Sequence, residues 1–282
     1  MFSQHKLRLA HEWQAVLAFV ERQFSLCRRY LGWELVFLFY TIVNTLTIAF
    51  IAVGMPARGH PNASNTVDQG YLFYLVIGAL MWGFLGIIFR EVSDSVSWER
   101  WEGTIEQTFM APIHRLTHLG GICAYAVLYG LLRTVIVLVA VSMIFGVSLP
   151  KANFAGALMI LAISSLSFVG LGLMAAVLPL LSPEKGAQAT HIFEGLLLLV
   201  SGIYYPVTVL PEWLQNFAVL SPATFALQGV RMALLEGASF EQLMPLVIRL
   251  LIMAAVLIPF GLSVFSLGEH YAKQAGLLKR NG

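Results

Sequence analysis

Charge is scarce in this 282-residue chain. Asp, Glu, Lys and Arg make up 11% of it against 58% hydrophobic residues, whereas a soluble domain is about 25% charged. So little charge cannot cover a water-soluble fold of this length, and the mean hydropathy of +0.78 places the chain in a bilayer. Cysteine is nearly absent: Cys27 and Cys123 alone give neither a disulfide framework nor a cysteine metal site. No G-x-x-x-x-G-K-[ST] occurs, so the backbone cradle and lysine that hold nucleotide phosphates are missing. No Gly-x-Ser-x-Gly elbow, Cys-His pair or twin-carboxylate motif marks catalysis. His114 and His118 stand four apart but lack the intervening glutamate of a zinc hydrolase helix, so no metal site is read there. The net charge of +2 lies at membrane-flanking positions and gives no footprint for nucleic acid.

What the chain does have is long apolar runs. A crossing needs about 20 mostly apolar residues, and six stretches qualify: 35–53, 71–89, 122–145, 154–181, 191–205 with some extension, and 244–267. Lys and Arg accumulate on the cytoplasmic side of a membrane. Lys6, Arg8, Arg22, Arg28 and Arg29 precede the first run, Arg90, Arg100 and Arg115 follow the second, and Lys273, Lys279 and Arg280 close the chain. Both termini are therefore expected to be cytoplasmic.

Residues 1–34 do not read as a cleaved signal, which carries a short apolar core near its start and a small-residue cleavage site. Trp13, Val16, Leu17, Val20, Phe24, Cys27 and Leu31 recur at helical spacing with charges elsewhere on the wheel. That pattern predicts an amphipathic helix in the headgroup layer, with a soluble helix packed on a partner as the competing reading. A transmembrane domain over 35–268 and a cytoplasmic tail over 269–282 complete the division.

Two polar or broken segments interrupt the apolar pattern. The first, 99–112, is charged and helical: Glu99, Glu102 and Glu106 are predicted to share one face, Trp98, Trp101, Ile105 and Phe109 another, with Gly103 a bend and Pro112 a stop. The second, 206–240, is apolar, yet Pro206, Pro211 and Pro222 forbid one continuous helix. Pro211 suits the opening of one short helix, and Ser221-Pro222 the cap and first residue of another. Two short helices that enter the outer leaflet and return are expected, with a surface-lying hairpin as the alternative. Within the spans, charge is costly, about 2.5–3.5 kcal/mol at a helix centre on insertion scales. Arg133 and Glu194 are therefore expected to pair with each other or to face a path. Ser164, Ser165, Ser167, Gly170 and Gly172 read as small packing positions that let helices approach.

On two motifs the chain resembles the membrane subunits of ABC exporters of the ABC-2 type. Glu99-Arg100-Trp101-Glu102-Gly103-Thr104-Ile105-Glu106, followed by Ala111-Pro112, is similar to that family's E-R-E-x-G-T-L-E…P stretch between spans two and three. Ser201-Gly202-Ile203-Tyr204-Tyr205-Pro206, Leu210-Pro211-Glu212-Trp213-Leu214, Ser221-Pro222 and Gly229-Val230-Arg231 are similar to its S-G-x-x-x-P…L-P-x-W-L…x-P…x-x-R block. Trp101, where the family often has an acidic residue, and Tyr204-Tyr205 beside Pro206 are departures.

The resemblance implies an all-α integral membrane protein of six transmembrane helices, with an interfacial N-terminal helix, a cytoplasmic coupling helix at 99–112 and short re-entrant helices between spans five and six. It implies a permease in the bacterial cytoplasmic membrane, two copies of it working with two separate ATPase subunits. This chain would then be no enzyme and hold no cofactor, since ATP and Mg would be bound by the ATPase. Tyr204, Tyr205, Trp213 and Phe217 are candidates to line an exit for a hydrophobic or amphipathic drug, lipid or lipid-linked glycan, though interfacial anchoring explains them equally well. The competing class is a stand-alone secondary transporter or channel, which usually shows internal repeats; no convincing repeat links the two halves.

Overall fold

The computed structural model describes residues 2–54, 69–110, 115–145 and 151–276, and every regular element among them is helical. In chain order these are α1 (Phe2–Arg29), α2 (Leu31–Gly54), α3 (Gln69–Glu102), α4 (Ile105–Met110), α5 (Arg115–Phe145), α6 (Phe154–Ala175), α7 (Val177–Leu181), α8 (Pro183–Val200), α9 (Glu212–Leu220), α10 (Pro222–Arg231) and α11 (Phe240–Gln274). The lack of strands follows from the solvent: lipid offers backbone amides no partner, so a crossing segment satisfies its own.

Five helices are long and apolar enough to cross a membrane: α2, α3, α5, the α6–α7 pair and α11. The crossing expected at 191–205 starts and stops earlier, as α8, whose apolar part is Gln188–Val200. It ends there because Gly202 takes a left-handed φ of 66°, turning the chain towards Pro206. A 3-10 turn (Val207–Val209) leads to α9, and a π-helical turn (Met232–Glu236) extends α10. The two arms, Glu212–Leu220 and Pro222–Glu236, are bent by 79°. Neither arm is long enough to cross alone. Pro222 opens α10 as expected, while Pro211 sits one position outside α9, as its cap.

α3 and α6 form the interior. Phe84, Ile88, Val92, Ile160 and Phe168 on them are at most 2% exposed, while α2, α5 and α11 turn apolar faces outwards. In hydrocarbon such faces are solvated by lipid, so helix association depends on close packing and polar contacts. The α6–α11 pair uses both. A Cβ on Gly261 would lie 2.4 Å from the Gly170 carbonyl oxygen, and one on Gly170 would lie 2.6 Å from the Leu257 carbonyl carbon. The two backbones therefore touch, and the Ser167 hydroxyl donates to the Leu250 carbonyl at 3.1 Å.

Helix α1 lies against α5 and the end of α3. Phe19 meets the His118 ring edge-on at 4.8 Å, Phe24 meets Tyr125 at 5.0 Å, and Thr117 donates to the Glu12 carboxylate. Trp13 and Leu17 remain 65% and 51% exposed. The apolar stripe of α1 is thus shared between the bundle and its surroundings. Burial and the nearby Glu34 carboxylate both push the Cys27 thiol above its ordinary range.

Candidate coupling elbow and pathway seam

Helix α3 has 34 residues and so runs about 50 Å at about 1.5 Å per residue, well beyond the roughly 30 Å hydrocarbon core. Its last turns leave the apolar layer carrying the charged motif, and they end at Gly103. There φ is 74°, the Gly103 N–H donates to the Arg100 carbonyl at 3.2 Å, and the Thr104 N–H donates to the Glu99 carbonyl at 2.9 Å. These bonds form a Schellman cap, which favours glycine in the left-handed position. The Thr104 carbonyl then accepts the Thr108 N–H at 3.0 Å, opening α4.

The charged residues before the cap hold this elbow in place. Glu99, 3% exposed, accepts from Arg22 of α1 at 3.1 Å and is 3.0 Å from His118 Nε2 of α5. Arg100 donates to the Pro179 and Leu180 carbonyls at 3.1 and 2.6 Å. Those are carbonyls at the end of α7, which have no acceptor role left inside their own helix. Glu102 is exposed.

Glu99 and Glu102 therefore do not share the expected common face. Glu99 turns inwards, and the helix breaks at Gly103, which removes the spacing that joined Glu106 to the other two. The side chains of Trp101, Ile105, Glu106 and Phe109, and Pro112 and His114 entirely, lie outside the described residues.

About three helical turns before that cap, α3 meets α8. Arg90 donates to Glu194 Oε1 at 2.6 Å, His191 Nδ1 lies 3.5 Å from Oε2, Ser93 and Thr190 share a hydrogen bond of 3.2 Å, and the Phe89 and Phe193 rings stack at 5.6 Å. Gly86 leaves the room: a Cβ there would come within 2.6 Å of Glu194 Oε1.

Arg133 is elsewhere. It donates to the Thr41 hydroxyl at 2.8 Å and to the Tyr129 hydroxyl at 3.3 Å, and Tyr129 donates to Glu34, tying α5 to α2. The expected Arg133–Glu194 pair is thus replaced by two separate networks. Arg133 is answered by α2, and Glu194 by Arg90, which the sequence reading had counted only as a loop charge.

The second motif is held by Arg231. Its guanidinium stacks 3.4 Å above the Tyr74 ring and donates to the carbonyls of Tyr74 and Ile203 at 3.1 and 2.8 Å, joining α10 and the turn after α8 to α3. The Ser201 and Ser221 hydroxyls meet at 2.9 Å. Tyr204 is half-buried, Tyr205 donates to the Leu199 carbonyl at 2.5 Å, and Pro206 and Pro211 are exposed. Trp213 and Phe217 point outwards, 65% and 56% exposed. Tyr204, Tyr205, Trp213 and Phe217 do not converge on one enclosed chamber within the single chain.

Sequence reasoning missed Arg22, Arg90, His118 and Glu34. For Arg90 the signal was present: α3 keeps its helical register past the apolar run, so a charge at the residue directly after that run still faces a neighbouring helix. Among the described residues no group of three or more His, Cys, Asp or Glu is placed to hold a metal ion.

Comparison with known proteins agrees with this architecture. The linearmycin resistance permease protein LnrN of Bacillus subtilis is 25% identical over 201 residues, 71% of this chain and 49% of that protein. The probable multidrug ABC transporter permease YbhR of Escherichia coli K12 is 28% identical over 153 residues, 53% of this chain and 40% of that protein. The alignments thus span about half the length of these relatives or less. The family model described as ABC-2 type transporter matches residues 14–235, a stretch that holds the elbow, the α3–α8 seam and the bent arms together, and the chain belongs to the ABC-2 type transporter family.

Proposed function

We propose that this chain is the path-forming membrane subunit of an ATP-driven exporter in a bacterial cytoplasmic membrane, with both termini cytoplasmic. Two copies would stand over two separate ATPase subunits, with ATP and Mg held by the ATPase. The observation that carries this reading is the elbow. A short helix, α4, projects beyond the end of α3, and Glu99 and Arg100 fasten its root to α1, α5 and α7. A push on α4 from an ATPase closing around ATP is thereby delivered to α3, and the Arg90–Glu194 seam passes it to α8. The path forms where two copies meet, and hydrolysis resets it.

A hydrophobic or amphipathic cargo fits this reading. The exposed Trp213 and Phe217 offer apolar contact, with the Trp213 indole N–H as a donor, and the similar proteins carry resistance and multidrug names. The test is purification from native membranes in nanodiscs, with mass spectrometry of co-purifying chains and an ATPase assay, comparing wild type with Glu102→Ala and Glu106→Ala together. An ATPase that co-purifies, and whose association or turnover falls in the double variant, is expected. A chain that transports without any ATPase overturns the reading and makes it a secondary transporter.

A further inference from the structure

Helix α2 carries an unusual pattern on its outer side. Trp33, Phe37, Tyr40, Asn44, Thr47 and Ile51 follow one another at alternating steps of four and three residues, and all six are exposed. Gly54 continues the rhythm. The neighbouring outward line, Leu35, Val36, Phe39, Val43 and Phe50, is equally exposed and wholly apolar. The exposed polar side chains of α2 are thus confined to one stripe, while Glu34, Thr41 and Thr45 face the bundle. Asn44 lies midway along the helix and makes no side-chain hydrogen bond among the described residues. The Thr47 hydroxyl, by contrast, is satisfied by the Val43 carbonyl at 2.9 Å.

An amide facing hydrocarbon has no partner in lipid, and each unsatisfied polar group there is costly. A 3.5-residue repeat is the spacing that keeps a seam facing a second, supercoiled helix, and a single central Asn fixes register in such pairs. An amide both donates and accepts, so an identical amide across a two-fold axis supplies what it lacks. Two copies inserted in the same orientation present this seam in parallel, bringing Asn44 against Asn44.

We propose that this stripe of α2 is the seam between two copies of the chain, closed by an Asn44–Asn44 hydrogen bond at mid-membrane. The inference rests on the two-copy reading above and names the surface that joins the copies.

Single cysteines test it in a Cys27→Ser, Cys123→Ala background, in native membranes treated with a membrane-permeant copper oxidant. Tyr40→Cys, Asn44→Cys and Thr47→Cys should give disulfide-linked dimers about tenfold faster than Val36→Cys, Val43→Cys and Phe50→Cys, and Asn44→Leu should slow crosslinking at Tyr40→Cys and Thr47→Cys by about tenfold, while Asn44→Gln retains it. Crosslinking that is equal on both lines, or unchanged by Asn44→Leu, overturns the proposal. Native mass spectrometry of the wild-type complex separates two failures. A dimer without stripe crosslinks puts the second copy on another surface and leaves the exporter reading standing. A single copy with no ATPase removes both.

Discussion

Glu99 and Glu102 are three residues apart in one charged motif, yet their surroundings assign them opposite work. Glu99 is buried between Arg22, whose own side chain is partly exposed, and His118, so removing its carboxylate breaks two polar contacts while Arg22 turns to water, a cost of about 1–3 kcal/mol. Glu102 is exposed, where a lost charge costs about 0–1 kcal/mol. Glu99→Ala is therefore expected to lower the thermal midpoint of the purified chain by several degrees, read by fluorescence-detected size exclusion after heating. Glu102→Ala should melt like wild type and reduce only ATPase association. Equal melting of the two variants would contradict the inward placement of Glu99.

Cys27 supplies a second test at this scale. Its thiol is pushed above the ordinary range by burial and by the Glu34 carboxylate, and only the thiolate reacts. In a Cys123→Ala chain, maleimide labelling at pH 7.5 should be slower than for an exposed thiol. Its rate should keep rising with pH after an exposed thiol has levelled off. A plateau at the same pH for both would remove the predicted shift.

Between elements, the seam of α3 and α8 is electrostatic as well as packed. Arg90→Glu and Glu194→Arg should each destabilise the chain, because like charges then face one another at the seam; the double exchange should recover part of the loss, and a thermal-stability cycle measures the coupling. No recovery would mean that the 2.6 Å pair contributes nothing. The α6–α11 contact predicts a larger effect. Gly261→Leu forces side-chain atoms into the Gly170 backbone, and overpacking of this kind costs about 1–3 kcal/mol or more, so expression of folded chain should fall sharply, while Ser263→Leu on the exposed side should be tolerated.

These contacts also mark where sequence patterns stop being informative. Apolar length and Lys/Arg placement reveal helices that must satisfy themselves in lipid, and the small residues of the 154–181 run forecast a close crossing that the structure contains. Pro206, Pro211 and Pro222 forecast the broken segment. Partner choice was not legible in the same way. Whether Glu194 meets Arg133 or Arg90 depends on which face of α3 each neighbour covers, and every periodic pattern is compatible with several rotations of a helix about its axis. The elbow was half legible: Gly103 announced a break, but one periodicity over 99–112 joined Glu106 to residues on the far side of that break, and no spacing revealed that Glu99 turns inwards to Arg22 and His118.

Across the whole molecule, α3 and α6 are enclosed and α10 is packed on them, with Ala223, Phe225, Ala226, Leu227 and Val230 in the same core, while α9 buries only Ala218. Arg231 supplies the principal polar connection, since one guanidinium bonds backbone carbonyls on both α3 and the turn after α8 and stacks on Tyr74. Local stability follows such contacts, and segments with few of them open without global unfolding. Arg231→Ala removes the hydrogen bonds to the Tyr74 and Ile203 carbonyls and the cation–π contact, yet it touches neither the Gly170–Gly261 crossing nor the Glu99 elbow. Amide exchange over 203–236 is therefore expected to quicken by about tenfold or more, the equivalent of about 1.4 kcal/mol of local opening, with exchange in α3 and α6 unchanged. Arg231→Lys should recover only part of the loss, because an ammonium keeps donors for the carbonyls but lacks the planar stacking of the guanidinium on Tyr74. Exchange that rose uniformly through the bundle would instead make Arg231 a global fastening. In that case the arms could not move independently of the interior, and the path between two copies would have to open by rigid movement of whole subunits.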